Sequence, residues 1–110
     1  MEIQPIQCAL ISVYHKDGLE PILAALHNQK VQFISTGGTA EFIRSLGYPV
    51  TDVSDLTKFP EILGGRVKTL HPTIFGGILA IRSSLNHQTQ LAANHILPID
   101  LVIVDLYPFV

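Results

Sequence analysis

Short apolar runs alternate along this chain with amphipathic stripes of helical period, and that alternation restricts the fold more than any other feature. Cys8–Val13 is apolar apart from Ser12, the pattern of a strand covered on both faces. Asp17 and Glu20 then have capping-box spacing, with Asp in place of the usual Ser or Thr. Leu19, Ile22, Leu23 and Leu26 follow on one helical stripe, and Pro21 is tolerated because it falls in the first turn. Val31–Ser35 reads as a second strand. Thr39 can cap a second helix whose Phe42, Ile43 and Leu46 face inward, stopped by Gly47 and Pro49. Tyr48–Val53 reads as a short third strand, a weaker helix runs from about Asn86 to Asn94, and Leu101–Val104 is another buried strand. Strands alternating with helices imply βαβ units, hence an α/β domain with a parallel sheet and right-handed crossovers. With no repeat, linker or low-complexity tract, the 110 residues are expected to form one small domain.

Between Ser54 and Ser84 the regular pattern fails. A stretch rich in Gly, Pro and Thr is too long there for an idle connection. Phe59, Ile62, Leu63, Leu70, Ile74, Phe75, Ile78 and Leu79 argue that it is ordered. Its centre, Gly65-Arg66-Val67-Lys68-Thr69-Leu70-His71-Pro72, crowds two cations, a hydroxyl and an imidazole between glycines and a proline, and so reads as a shaped loop. These residue types suit an anion that also needs polarising. Arg66 and Lys68 carry charge, Thr69 offers a directional hydrogen bond, and His71 can move a proton. A solvated basic loop is the equal alternative on composition alone.

In an open parallel sheet, ligands sit beyond the carboxyl ends of the strands. The residues that follow the strands are Tyr14-His15-Lys16-Asp17-Gly18, Ser35-Thr36-Gly37-Gly38-Thr39-Ala40 and Asp105-Leu106-Tyr107-Pro108-Phe109. Hydroxyls, a lysine, a carboxylate and a phenol thus converge on one rim. Ser35–Thr39 is the clearest local anion site: two glycines allow close backbone approach, hydroxyls flank them, and a helix starts at once. It matches neither a P-loop nor the three-glycine dinucleotide fingerprint, and an ordinary glycine-rich strand–helix turn is the alternative.

Several classes are disfavoured. A formal charge of -2 gives no electrostatic reason for a nucleic-acid or anionic-membrane partner. The one cysteine, Cys8, lies in an apolar run and reads as a buried thiol, which fits a reducing cytosol. No apolar stretch approaches the ~20 residues needed to span a bilayer, and Met1-Glu2-Ile3-Gln4-Pro5 has no signal-peptide character, so a cytoplasmic protein is expected. His15, His27, His71, His87 and His95 form no metal signature; His27 and His87 are expected on solvated helix faces.

Beyond these readings, the sequence resembles the IMP cyclohydrolase domain, the N-terminal part of a bifunctional purine-biosynthesis protein that also carries a formyltransferase. "ISVYHKDGL", "STGGTA", "GYPVTDVSDLTKFPEILGGRVKTLHP", "GGILA" and "VDLYPF" match in order along nearly the whole chain. The glycine-rich turn is shared with methylglyoxal synthase-like relatives, whereas RVKTLHP and LYPF are far more specific. The resemblance implies a three-layer, Rossmann-like α/β fold of the methylglyoxal synthase-like kind. It also implies ring closure of 5-formamidoimidazole-4-carboxamide ribotide to IMP with loss of water, without metal or cofactor. Its partners would be the purine ribonucleotide and, since family members dimerise, a second copy.

Carried over by position, Lys16, Thr36, Gly37, Gly38 and Thr39 would hold the nucleotide phosphate, helped by Ser12, Arg66 and Thr69. Lys68 and Tyr107 would sit at the reacting base. The chain departs from the family pattern at Asp17, where Thr is common, at Phe75, where His is usual, and at Asp105, where Asn is usual. It ends at Val110, before the family's Ile-Asp-Ile-Gly-Gly and Ala-Ala-Ala-Lys-Asn stretches, which supply an aspartate and a lysine to the site. The expectation is therefore a fragment or truncated homologue, its fold incomplete at the C-terminus and lacking the formyltransferase domain. A non-catalytic module that binds phosphorylated metabolites is the alternative, and methylglyoxal synthase itself a third reading.

Overall fold

The computed structural model describes residues 5–60, 62–63, 69 and 71–105. The chain divides into two compact units, Met1–Asp52 with Asp100–Val110 and Val53–Ile99. The first contains β1 (Cys8–Ser12), α1 (Leu19–Asn28), β2 (Gln32–Ser35), α2 (Gly37–Ser45), β3 (Thr51–Asp52) and β4 (Leu101–Val104). The second contains α3 (Val53–Thr57), α4 (Pro72–Leu79) and α5 (Leu85–Ala93). Among the described residues no helix is long and apolar enough to cross a membrane.

The four strands form one parallel sheet in the order β3-β2-β1-β4. β1 is buried at every position, as its apolar run requires of an inner strand, and Cys8 lies within it. Ala9, Ile11, Leu19, Leu23, Val31, Phe33 and Ile43 form the core of this unit, with Leu101 and Ile103 packed against it. Each large apolar side chain taken from water there stabilises the fold by about 1.5–3 kcal/mol. The parallel register pairs Ile11 with Ser35 and Ser12 with Val104. Strand ends are thereby level, and the residues that follow them meet on one rim.

Several local expectations are corrected. α1 is capped by Gly18 in the left-handed region (φ 76°) with no side-chain cap bond, so Asp17 and Glu20 form no capping box. Ile22 is 45% exposed, which narrows the α1 stripe to Leu19, Leu23 and Leu26. Thr36, not Thr39, is the N-cap of α2. The third strand shrinks to Thr51–Asp52: Pro49 has no N–H for a ladder, and the Tyr48 ring turns onto those of His27 and Phe33. β4 has the expected bounds but is half-covered, with Val102 and Val104 exposed, because it is an edge of the four-strand order.

In the second unit, Pro72 opens α4, where its missing N–H costs nothing. The His71 side chain caps that helix by accepting from the Thr73 N–H at 3.1 Å. The 54–84 stretch thus holds two helices that periodicity did not reveal. Ile74 is buried, whereas Phe59, Ile62, Leu63, Phe75, Ile78 and Leu79 remain exposed.

Candidate functional site

Because Ile11 and Ser35 are paired, Ser12 and Thr36 leave their strands side by side, and their hydroxyls bond at 2.7 Å while both residues are buried. One hydroxyl donates in that bond, so the pair keeps one O–H for another acceptor. The Thr36 hydroxyl is not spent on capping α2, and among the described residues no side-chain cap bond closes this helix.

The consequence is an open helix N-terminus. Ala40 N–H is bonded to Thr36 C=O, which leaves Gly37, Gly38 and Thr39 as the N–H groups preceding the first intrahelical bond. No acidic residue occupies this first turn, so no side-chain carboxylate of that turn neutralises the positive end of the helix dipole. Gly37 has φ 43°, a left-handed conformation that favours glycine. A Cβ on Gly38 would meet nothing within 4 Å.

Thr39 is fully buried, and its hydroxyl grips Val13 twice, accepting from the N–H at 3.1 Å and donating to the carbonyl at 2.9 Å. Its hydroxyl proton is thus committed within the chain, and what Thr39 offers a ligand is its main-chain N–H. Lys16 Nζ donates to the same Val13 oxygen at 2.8 Å and to Tyr14 C=O at 3.2 Å. Ammonium and helix start are joined at one carbonyl oxygen. Among the described residues no carboxylate pairs with Lys16.

Asp105, directly after β4, completes the rim. Its two oxygens accept from Tyr14 N–H at 2.7 Å and His15 N–H at 2.9 Å, and His15 Nδ1 lies 3.2 Å away. The two main-chain hydrogen bonds, Tyr14 first, hold its carboxyl below the ordinary 3.8, with a smaller contribution from the His15 ring. Asp105 and His15 stood in the sequence as rim residues, Asp105 also as a departure from the family pattern, and their joint role had no motif to announce it. Asp17 is exposed and makes no cap bond.

Ser12, Lys16, Thr36, Gly37, Gly38 and Thr39 are thus brought together. Arg66, Lys68 and Tyr107 lie outside the described residues. Thr69 belongs to the Val53–Ile99 unit, where its carbonyl accepts from His71 N–H at 2.9 Å. Main-chain N–H groups, the second O–H of the Ser12–Thr36 pair and an ammonium are donors, a set that suits an anion such as phosphate.

A family model described as the MGS-like domain matches residues 18–110. The bifunctional purine biosynthesis protein PurH of Bacteroides thetaiotaomicron is 58% identical over 108 residues, 98% of this chain and 21% of that protein. PurH of Rhodospirillum rubrum is 56% identical over 105 residues, 96% of this chain and 20% of its own. The chain spans about a fifth of the length of these curated relatives. The crystal structure of ForH superposes with a TM-score of 0.80 at 35% identity, covering 96% of this chain and 55% of that one.

Proposed function

This chain belongs to the MGS-like domain family, and on that footing we propose that it carries the nucleotide-binding part of an IMP cyclohydrolase acting in purine biosynthesis. The substrate would be 5-formamidoimidazole-4-carboxamide ribotide and the products IMP and water. The observation that supports this reading most directly is the shared Val13 oxygen, which joins the Lys16 ammonium to the uncapped start of α2. A phosphate monoester there would receive main-chain N–H groups, the spare hydroxyl of the Ser12–Thr36 pair and one full positive charge. Similarity to PurH supports the choice of nucleotide.

In this reading the phosphate anchors the ribotide so that its two side groups meet. The carboxamide nitrogen attacks the formyl carbon and gives up one proton to the formyl oxygen, which has gained negative charge. The formamido nitrogen then gives up its proton as the C–O bond breaks and a ring C=N bond forms, and the oxygen leaves as water. Lys68 is assigned to stabilise that oxygen, with Arg66 and Thr69 adding to anion binding, and Tyr107 to hydrogen-bond or relay a proton. Charge stabilisation and proton transfer suffice for this chemistry, so no metal or cofactor is invoked. A cytoplasmic homodimer belongs to the same proposal.

Calorimetry with IMP, inosine and a triose phosphate tests the binding. IMP should bind well above the other two, and Thr36→Val should weaken it by about 1.5–3 kcal/mol, the usual worth of a hydrogen bond to a charged group. Equal binding of IMP and inosine would remove the phosphate assignment. Turnover of the formamido ribotide, followed by absorbance, separates catalysis from binding alone. Lys68→Ala should slow any turnover ~10²–10³-fold, whereas IMP binding without turnover leaves a ligand-binding module.

A further inference from the structure

Lys16 and Asp105 grip the same two peptide groups from opposite ends. The peptide joining Val13 to Tyr14 has its C=O on Lys16 Nζ at 2.8 Å and its N–H on Asp105 Oδ1 at 2.7 Å. The next peptide, joining Tyr14 to His15, has its C=O on Lys16 Nζ at 3.2 Å and its N–H on Asp105 Oδ2 at 2.9 Å. A carboxylate at the N–H ends and an ammonium at the C=O ends both follow the peptide dipoles, so each charge reinforces the other's hold. A peptide group is planar and turns as one body. Rotation of either plane therefore loses an Asp105 bond and a Lys16 bond together.

We propose that Asp105 is a positioning residue for the anion site: through the Val13–Tyr14 and Tyr14–His15 peptides it fixes Lys16 at the start of α2. Asp105 touches no ligand in this scheme. By occupying the Tyr14 and His15 N–H groups it also denies them to an incoming phosphate, which leaves the N–H groups at the start of α2 as the main-chain donors of this rim among the described residues. The His15 imidazole, 3.2 Å from Oδ2, braces the carboxylate from outside. The proposal rests on the phosphate reading given above.

The test is a double-mutant cycle on the 110-residue chain, with IMP as the probe, inosine as the reference and affinities taken from calorimetry. Asp105→Asn keeps size but replaces one acceptor oxygen by an NH₂ that faces an N–H donor. It should weaken IMP binding about tenfold, leave inosine unchanged, and speed amide exchange at Tyr14 or His15. Added to Lys16→Ala, it should weaken IMP no further, because the residue it positions is gone. Unchanged IMP affinity, or a loss that adds in full to that of Lys16→Ala, overturns the proposal while leaving the phosphate reading intact. Failure of the wild-type chain to bind IMP or inorganic phosphate overturns that reading and this proposal together. Should Asp105→Asn not fold, wild-type exchange decides: both amides are expected to be slow, and open-loop rates at either overturn the proposal.

Discussion

Gly37 and Gly38 are adjacent, yet they differ in what the chain demands of them. Gly37 needs its left-handed φ of 43°, whereas Gly38 has no neighbour within 4 Å of where a Cβ would stand. Alanine at Gly38 should therefore add about 0.5–1 kcal/mol of stability by removing backbone entropy from the unfolded chain. If a phosphate occupies the space above the helix start, the same methyl intrudes on it. The expected result for Gly38→Ala is a higher Tm with weaker IMP binding, and undiminished affinity would show that close approach at Gly38 is not used. Asp105 yields a pH prediction of definite sign. A carboxyl held below 3.8 in the folded state contributes stability that is present above that ordinary value and lost as pH falls through its lowered one. Followed by NMR, its carboxyl carbon should titrate below 3.8 and remain below it in His15→Ala, since the main-chain bonds are the larger cause. Return to 3.8 in that variant would transfer the effect to the imidazole.

At the level of elements, glycine has a different use in α4. Gly77 is buried, a Cβ there would collide with the Leu97 carbonyl, and Ile99 Cγ1 would lie at 3.2 Å. Its own carbonyl accepts from Ile99 N–H at 3.0 Å. Backbone cannot step aside as a flexible side-chain tip can, so Gly77→Ala should destabilise by about 1–3 kcal/mol in chemical denaturation. An unchanged midpoint would mean that the Leu97–Ile99 segment is free to shift. None of this could be read from "GGILA" alone, because a close approach between segments twenty residues apart along the chain leaves no local pattern. Inner strands were legible, since β1 and β2 carry apolar runs. The first and second helices were legible too, though their starts were misplaced: Asp17 had the right spacing for a cap, but the left-handed turn at Gly18 moved the helix start past it. α3 and α4 were missed because their faces are apolar nearly all round or too short to show a period. The same division holds at the site. Hydroxyls, glycines and Lys16 announced the rim, whereas the two peptide groups that join Lys16 to Asp105 are main chain, and any sequence carries those.

Across the whole molecule, cohesion is unevenly spread. β1 is buried at all its positions and hydrogen-bonded on both sides, to β2 and to β4. Asp100 and Asp105 add a second tie at each end, the former accepting from Gln7 and Cys8 N–H and the latter from Tyr14 and His15 N–H. The amides within β1 can meet solvent only when the sheet itself opens. α5 stands at the other extreme, for it buries no residue, and Leu85 within it is 77% exposed. Its Ser84 cap accepts from His87 N–H at 3.2 Å and contributes about 1 kcal/mol, far less than an apolar face in a core supplies to a helix of this length. Local opening of α5 should therefore require much less free energy than global unfolding. In native-state hydrogen exchange with increasing denaturant, amides of Leu10, Phe33 and Ile34 should exchange with the global unfolding energy and its full denaturant dependence. Amides of Gln90 and Leu91 should exchange several kcal/mol more easily, with little denaturant dependence. A single common exchange energy for both sets would show that α5 opens only with the sheet, and the uneven burial would then not govern the order of opening.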